Sequence, residues 1–330
     1  MRLHYLKRLH TLCVAATLFG LGVQTPLFAQ SNAAGVSAMQ PPPVRMSFIV
    51  TDNRNHFVDG LRKEDIKVFA DKEEQPLVLF ERDERPIHYA IAIDTSGSFR
   101  QLLSAELEAV SVIIKNNRDT DDLFIERFVS SDKIEKLRDF TNDQNALLAS
   151  LKRARIEGGQ SAVLDALYVA VNYTASRAPK DDRKAVIIIT DGEDRSSFYG
   201  LEKVVGLLHE TKVPVFVIGM VFMLDDTSGL IRESPRVRAE SLLTTVAAES
   251  GGRLFLVKNL SDLATAVREI VHDVRSQYLV AFQSTRTKES QKIEIKIVEA
   301  AGREGWKTHH IPAIFPPSKQ DSMTKDKARP

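Results

Sequence analysis

Apolar positions along the chain fall into three regimes. From Val44 to Arg82 they form short runs rich in β-branched and aromatic residues: Val44–Val50, Ile66–Phe69 and Leu77–Phe80. With turn chemistry at Asp52-Asn53-Arg54-Asn55, these runs predict strands joined by tight loops. From His88 the pattern changes. Continuous apolar runs at Tyr89–Ile93, Leu123–Phe128, Ala185–Ile189, Val213–Ile218 and Leu254–Val257 alternate with helical spacings. Those spacings are Leu103, Leu107, Val110 and Ile114; Leu164, Leu167 and Val171; and Leu263, Val267, Ile270 and Val274. Unbroken apolar runs suit strands buried on both faces, and steps of three and four put side chains on one helix face. Ile134–Phe140 is predicted as an antiparallel partner of the Leu123 strand. After Gln277 strands return without helices, at Tyr278–Phe282, Ile293–Val298 and Trp306–Ile311.

Strands alternating with helices predict an α/β fold, a doubly wound and mostly parallel sheet covered on both faces. The β segments on either side, about 40 residues each, are too short to bury a core alone. The economical solution is one small β-sandwich built from both flanks, with the α/β domain inserted between them. The expected boundaries are 44–86 for the N-terminal β flank, 87–275 for the α/β domain and 276–315 for the C-terminal β flank. About six strands would come from the flanks jointly.

Outside these regions the composition shifts. Met1 to Ala29 carries Arg2, Lys7 and Arg8 and no acid, then an apolar run from Leu12 to Val23 and a small residue before Gln30. That is the pattern of a secretory signal peptide over 1–29. An uncleaved anchor is the alternative, but the run is about a dozen residues against the roughly 20 a spanning helix needs. Residues 30–43 read as a flexible linker and 316–330 as a disordered tail. The expected localisation is export, periplasmic or secreted, with no stable membrane insertion once the signal is removed.

The charge count excludes one class. Lys plus Arg total 45 against 44 for Asp plus Glu, which gives no footing for nucleic-acid binding. Removing the signal takes three cations and no acid, leaving 42 against 44. The single cysteine, Cys13, lies inside that signal and excludes a disulfide scaffold or a cysteine-ligated metal.

The candidate chemistry gathers at strand ends, where doubly wound sheets bind ligands. One strand ends in Asp94-Thr95-Ser96-Gly97-Ser98, another in Thr190-Asp191-Gly192-Glu193-Asp194, and Gly158-Gly159-Gln160-Ser161 leads into a helix. Taken singly, Ser98 and Ser161 suit helix capping. Taken together, hydroxyls and carboxylates at successive strand ends suit a hard cation. Glu193 and Asp194 read as solvated loop acids, and Asp165 as an acid favoured by the helix dipole. The Met223–Val237 segment reads as a long loop able to shape partner choice, or equally as a disordered insertion.

Asp94-x-Ser96-x-Ser98, the Ser161 hydroxyl after Gly-Gly, and Thr190-Asp191-Gly192 resemble the von Willebrand factor type A domain. So do Asp165-Ala166-Leu167 and Glu249-Ser250-Gly251-Gly252-Arg253. The flanks, VTDNRNHFVDGLRKEDIKVFADKEEQ and QYLVAFQST…KIEIKIV, look like a bacterial exported subfamily of that family. The resemblance spans about Val44 to Ile311. It implies a metal-ion-dependent adhesion site in which Ser96, Ser98 and Ser161 contact the cation, while Asp94 and Asp191 hold it mostly through water. Mg²⁺ suits so few carboxylates, with Mn²⁺ or Ca²⁺ as alternatives. Ser161 stands where threonine is common, losing the methyl that restricts its rotamer. The implied function is a non-catalytic adhesion module that captures a protein partner offering an Asp or Glu carboxylate. A metal-independent scaffold of the same fold is the alternative, and a metal-dependent exported hydrolase a further one. Catalytic signatures are weak: Ser130-Ser131-Asp132-Lys133 fits Ser-x-x-Lys without its companions, and the histidines look scattered and unpaired with acids.

Overall fold

The computed structural model describes residues 43–227, 233–283 and 292–310. The expected signal peptide, nearly all of the linker and the tail lie outside them. In chain order the first strands are β1 (Val44–Thr51), β2 (Ile66–Ala70), β3 (Glu73–Gln75) and β4 (Leu77–Arg82). The alternating region follows: β5 (Ile87–Asp94), α1 (Leu103–Lys115), β6 (Asp122–Phe128), β7 (Ile134–Thr141), α2 (Gln144–Ser150) and α3 (Val163–Arg177). It continues with β8 (Arg183–Thr190), α4 (Leu201–Thr211), β9 (Val215–Gly219), α5 (Pro235–Ser250), β10 (Leu254–Leu256) and α6 (Leu260–Arg275). The last strands are β11 (Tyr278–Phe282), β12 (Ile293–Ile297) and β13 (Lys307–His310).

The central sheet has six strands in the order β10-β9-β8-β5-β6-β7, parallel except for β7. Successive residues of each strand point to opposite faces, and the two faces differ in kind. Tyr89, Ile91 and Ile93 of β5 join Ile187 and Ile189 of β8 under α1 and α6, against Val110, Ile114, Val267 and Ile270. Ala90 and Ala92 face the other way, with Val186 and Ile188, under Ala166 and Ala170 of α3. Small residues on both sides let α3 approach closely, so the helix that follows the Gly158-Gly159 loop is seated hard against the sheet centre. Each fully buried Ile or Val in these layers contributes about 1.5–3 kcal/mol of transfer free energy.

Seven strands, rather than six, make two antiparallel sheets among the described flank residues: β13-β1-β11-β4 and β12-β2-β3. Both flanks contribute to both sheets. Phe48 of β1 faces Tyr278 of β11 on one side and His310 of β13 on the other, and Ile293 of β12 faces Ala70 of β2. Their shared core includes Met46, Phe48, Val50, Val68, Val280, Phe282 and Ile295. The Tyr278 hydroxyl satisfies itself inside it, accepting from Leu61 N–H at 3.1 Å and donating to the Val58 carbonyl at 3.2 Å.

Where the flanks meet the α/β region, Asp83 is buried. It accepts from Ser47 Oγ at 2.7 Å and from Arg85 Nη2 at 2.6 Å. Burial alone would raise its pKa; the Arg85 and Ser47 hydrogen bonds hold it below the usual carboxylate range.

The expected loop Met223–Val237 is shorter than its sequence suggests. Ser234 caps α5 through Val237 N–H at 3.1 Å, and Pro235 opens the helix, as suits a first-turn proline; residues 228–232 lie outside the described set. Two histidines expected to stand apart are paired with acids: His88 Nε2 lies 2.8 Å from Asp182 and His209 Nε2 2.8 Å from Glu249. Among the described residues no helix is long and apolar enough to cross a membrane.

Candidate metal centre

Strand order reverses at β5: the chain leaves it for β6 on one side and returns to β8 on the other. Loops diverge at such a reversal and leave a crevice at the carboxyl ends of the strands. Three loops open onto it. The β5 loop carries Asp94, Ser96 and Ser98, the loop before α3 carries Ser161, and β8 ends in Thr190-Asp191.

Asp94, Ser96, Ser98, Ser161 and Thr190 form one hydrogen-bonded cluster, and Asp191 stands beside it, close enough for its charge to act on Asp94. Ser161 Oγ is 2.8 Å from Ser96 Oγ and 3.2 Å from Asp94 Oδ2. Ser96 Oγ is 3.1 Å from Ser98 Oγ, and Ser96 N–H donates to Asp94 Oδ1 at 3.0 Å. Thr190 Oγ1 donates to Asp94 Oδ2 at 2.8 Å. Asp191 Oδ1 accepts from Glu193 N–H at 3.0 Å, whereas its Oδ2 is buried without a hydrogen-bond partner. Asp94, Ser96, Ser161 and Asp191 are all buried, with Ser98 exposed at the rim. Ser98 and Ser161 therefore do not cap helices through their hydroxyls, the reading each suggests alone.

Among the described residues no cation forms an ion pair with Asp94 or Asp191; Arg195 acts on Asp191 at longer range and is itself paired with Glu193. Burial, and then the Asp191 charge, push the Asp94 carboxyl up to about 7. Burial raises Asp191 as well. Behind them Glu106 of α1 accepts from Asp94 N–H at 3.2 Å and is pushed well above the carboxylate range by burial and by Asp94. Two carboxylates, one of them with a buried unpaired oxygen, and three hydroxyls are a donor set that fits a hard divalent cation. Carboxylates alone would not suffice: among the described residues no group of three or more His, Cys, Asp or Glu side chains is placed to hold a metal.

The surrounding loops are fixed by residues whose role the sequence reading understates. Asp165 is nearly fully buried and accepts from Phe198 N–H and Tyr199 N–H, both at 2.8 Å. It anchors the loop after Asp191 rather than only favouring a helix dipole. Asp194 is half-buried, accepting from Ser197 Oγ at 2.5 Å and from Leu164 N–H at 3.3 Å, so it caps α3 from across the crevice instead of standing solvated. Arg195 and Ser196 N–H groups both donate to the Ser161 carbonyl. Arg127, buried, donates to Glu157 Oε1 at 2.7 Å and holds the base of the glycine loop. Gly159 has φ +118°, and a Cβ there would lie 2.8 Å from Val129 Cγ1, so a side chain at this position would press on Val129 and strain the loop that carries Ser161. The pairing of Asp165 with a loop 33 residues later left no local signal.

A doubly wound sheet with an oxygen-lined crevice at its switch point defines a class of ligand-binding α/β domains. Residues 89–193 match the family model of the von Willebrand factor type A domain, and the chain carries such a domain. No curated protein matches the chain. Among solved structures, a von Willebrand factor type A protein from Catenulispora acidiphila is similar at 13% identity, over 86% of this chain and 76% of that one, with a TM-score of 0.48. The conserved hypothetical protein BatB from Bacteroides thetaiotaomicron is similar at 20% identity, over 58% and 100%, with a TM-score of 0.44. Manganese-loaded TRAP protein from Plasmodium vivax is similar at 15% identity, over 70% and 82%, with a TM-score of 0.43.

Proposed function

We propose that this protein is an exported, non-catalytic binding module that captures a protein partner through a divalent cation. Asp94, Ser96, Ser98, Ser161 and Asp191 would hold the ion, Mg²⁺ in the first instance and Mn²⁺ or Ca²⁺ as substitutes. The observation that carries the reading is the convergence of these five side chains with Asp191 Oδ2 buried and unpaired, since a buried carboxylate oxygen without a partner is costly. When bound, the cation supplies an electropositive position that a partner's Asp or Glu carboxylate can complete. The chain's own residues orient that position: Thr190 fixes Asp94, the Arg127–Glu157 contact fixes the Ser161 loop, and Asp165 fixes the rim beyond Asp191. Export rests on the composition of Met1–Ala29 and leaves the final address periplasmic or secreted.

A second reading, a scaffold of the same fold that works without metal, is favoured by one fact. Asp94 already accepts from Ser96 N–H, Thr190 and Ser161, so its own hydrogen-bonding capacity is met. Calorimetric titration of Mg²⁺ and Mn²⁺ into chelator-treated protein separates the readings. Saturable one-site binding that disappears in Asp94→Ala supports the cation-bridged module; no heat and no change of melting midpoint leaves the scaffold.

A further inference from the structure

At the opposite ends of the parallel strands lies a groove of about 600 Å³ between β1, the start of β8 and the ends of α3 and α4. Six of its lining residues are cations: Arg45, Arg85, Lys180, Arg183, Lys184 and Lys212, against the acids Asp182 and Glu210. The chain as a whole is balanced at 45 against 44, so the excess is a local segregation of charge. A larger hollow of about 970 Å³ beside Trp306 is nearly balanced, with Lys296, Arg303 and Lys307 facing Glu299 and Glu304.

Part of this charge is answered within the protein and part is not. Asp182 is held by His88 at 2.8 Å. Asp83 takes the Arg85 guanidinium. Lys184 Nζ donates only to carbonyl oxygens, Pro179 O at 2.9 Å and Lys180 O at 3.3 Å among them, and the Asp182 and Asp181 charges act on it without an ion pair; burial lowers its pKa. Arg183 has a side chain 3% exposed and donates to the carbonyls of Arg85 and Val274, with Nη2 lacking a hydrogen-bond partner; its Nε lies 3.9 Å from Asp83 Oδ1, so that one carboxylate answers two guanidinium groups. Exposed Arg45 and Lys180 make no side-chain ion pair among the described residues. Lys212 answers the C-terminal dipole of α4, where it is the capping residue. Arg45, Arg183 and Lys184 sit on strands, where no such dipole explains them. Like charges gathered in a concave, partly dry site raise the local potential and are relieved by an anion.

We propose that this groove binds a phosphate-bearing ligand, with Arg45, Lys180 and Lys184 contacting the phosphate oxygens and buried Arg183 adding to the potential from behind. Guanidinium and ammonium groups together suit phosphate, whose oxygens accept from a fork and from point charges alike. The site is independent of the cation-bridged reading, since it lies at the other end of the sheet and needs no metal.

The test uses the full chain in EDTA, which silences the oxygen cluster. Inorganic pyrophosphate is titrated by calorimetry at low and at physiological salt. The same protein is sedimented with phosphatidylglycerol vesicles and with phosphatidylcholine vesicles. Saturable pyrophosphate binding that weakens about tenfold or more in the exposed-site double variant Arg45→Gln/Lys180→Gln, with its melt unchanged, supports the proposal. Vesicle binding confined to phosphatidylglycerol and lost in the same variant supports it too, and assigns the phosphate to a lipid headgroup; pyrophosphate binding without vesicle binding assigns it to a soluble ligand. Absence of both, or binding equally tight in the variant, overturns it.

Discussion

Ser161 Oγ stands 2.8 Å from Ser96 Oγ although 65 residues separate them in the chain. Their meeting defines the oxygen cluster, and it yields a direct prediction. Asp94→Ala should abolish Mg²⁺-dependent stabilisation, because a ligand that binds only the native state raises its melting point. Ser161→Thr, which keeps the oxygen and narrows its rotamers, should retain or modestly strengthen it. Thermal melts in Mg²⁺ and in EDTA measure both. A metal shift in Asp94→Ala equal to that of the parent would remove Asp94 from the site.

Asp165→Asn should loosen the rim without unfolding the domain. The carboxylate accepts two backbone N–H groups, from Phe198 and Tyr199, and losing one buried acceptor costs about 1–3 kcal/mol. Amide exchange at 194–199 should quicken and Mg²⁺ affinity should fall, while exchange in β5 and β8 stays slow. Unchanged exchange at Phe198 and Tyr199 would refute the anchor.

Glu126 is buried on β6 with Oε1 unpartnered, and burial holds its carboxyl well above the usual range. A raised carboxyl favours the proton in the folded state. Its contribution is therefore full at acid pH and is lost as pH rises above the unfolded value of about 4.3. Replacement by an apolar residue of similar length, Glu126→Met, should add about 1–3 kcal/mol at neutral pH and flatten the decline of stability towards pH 8. A Met variant less stable than the parent at pH 8 would show that the carboxyl has a partner or a role not accounted for.

His309 behaves in the opposite sense. It lies 3.0 Å from Thr51 Oγ1, and burial followed by the nearby Arg253 charge lowers its pKa to about 4. The unfolded chain takes up this proton near 6.5 while the folded one refuses it until about 4. Stability from this residue is thus complete above the unfolded value and drains as pH falls between the two. Allowing for partial exposure, the loss is about 1–2 kcal/mol. Denaturant midpoints across that window should fall in the parent and stay nearly level in His309→Gln; parallel profiles would count against the assignment.

Much of this architecture was legible because strong, local patterns carried it. Tyr89–Ile93 and Ala185–Ile189 have no polar alternation, and burial on both faces leaves them none. The residues of the oxygen cluster were readable since each follows an apolar strand or a Gly-Gly turn. What escaped had weak contrast or distant causes. In α5 the buried positions include Ala239 and Ala247, too small to mark a stripe, and α4 has its Leu201, Val204 and Leu208 spacing interrupted by Gly206. Strand β3 is Glu73-Glu74-Gln75, strand only because β2 offers an edge to pair with. The duties of Asp165, Asp194 and Arg127 depend on groups about 30 residues away, and single-residue chemistry does not reveal them.

The interleaving of the two flanks also sets an order in time. Residues through Arg275 suffice for every strand and helix of the α/β sheet, so that region can close while the chain is still being made. The sandwich cannot. Its first strand must wait for β11 and β13, and β2 must wait for β12. At about 5–20 residues per second, the roughly 230 residues between the paired strands take about 10–50 seconds to synthesise. During that interval β1 and β2 present unmatched edges, which invite pairing with another chain. The last 35 or so residues before His310 thus act as the closing piece, and a chain stalled ahead of Ile293 would be the form most prone to associate with its own copies.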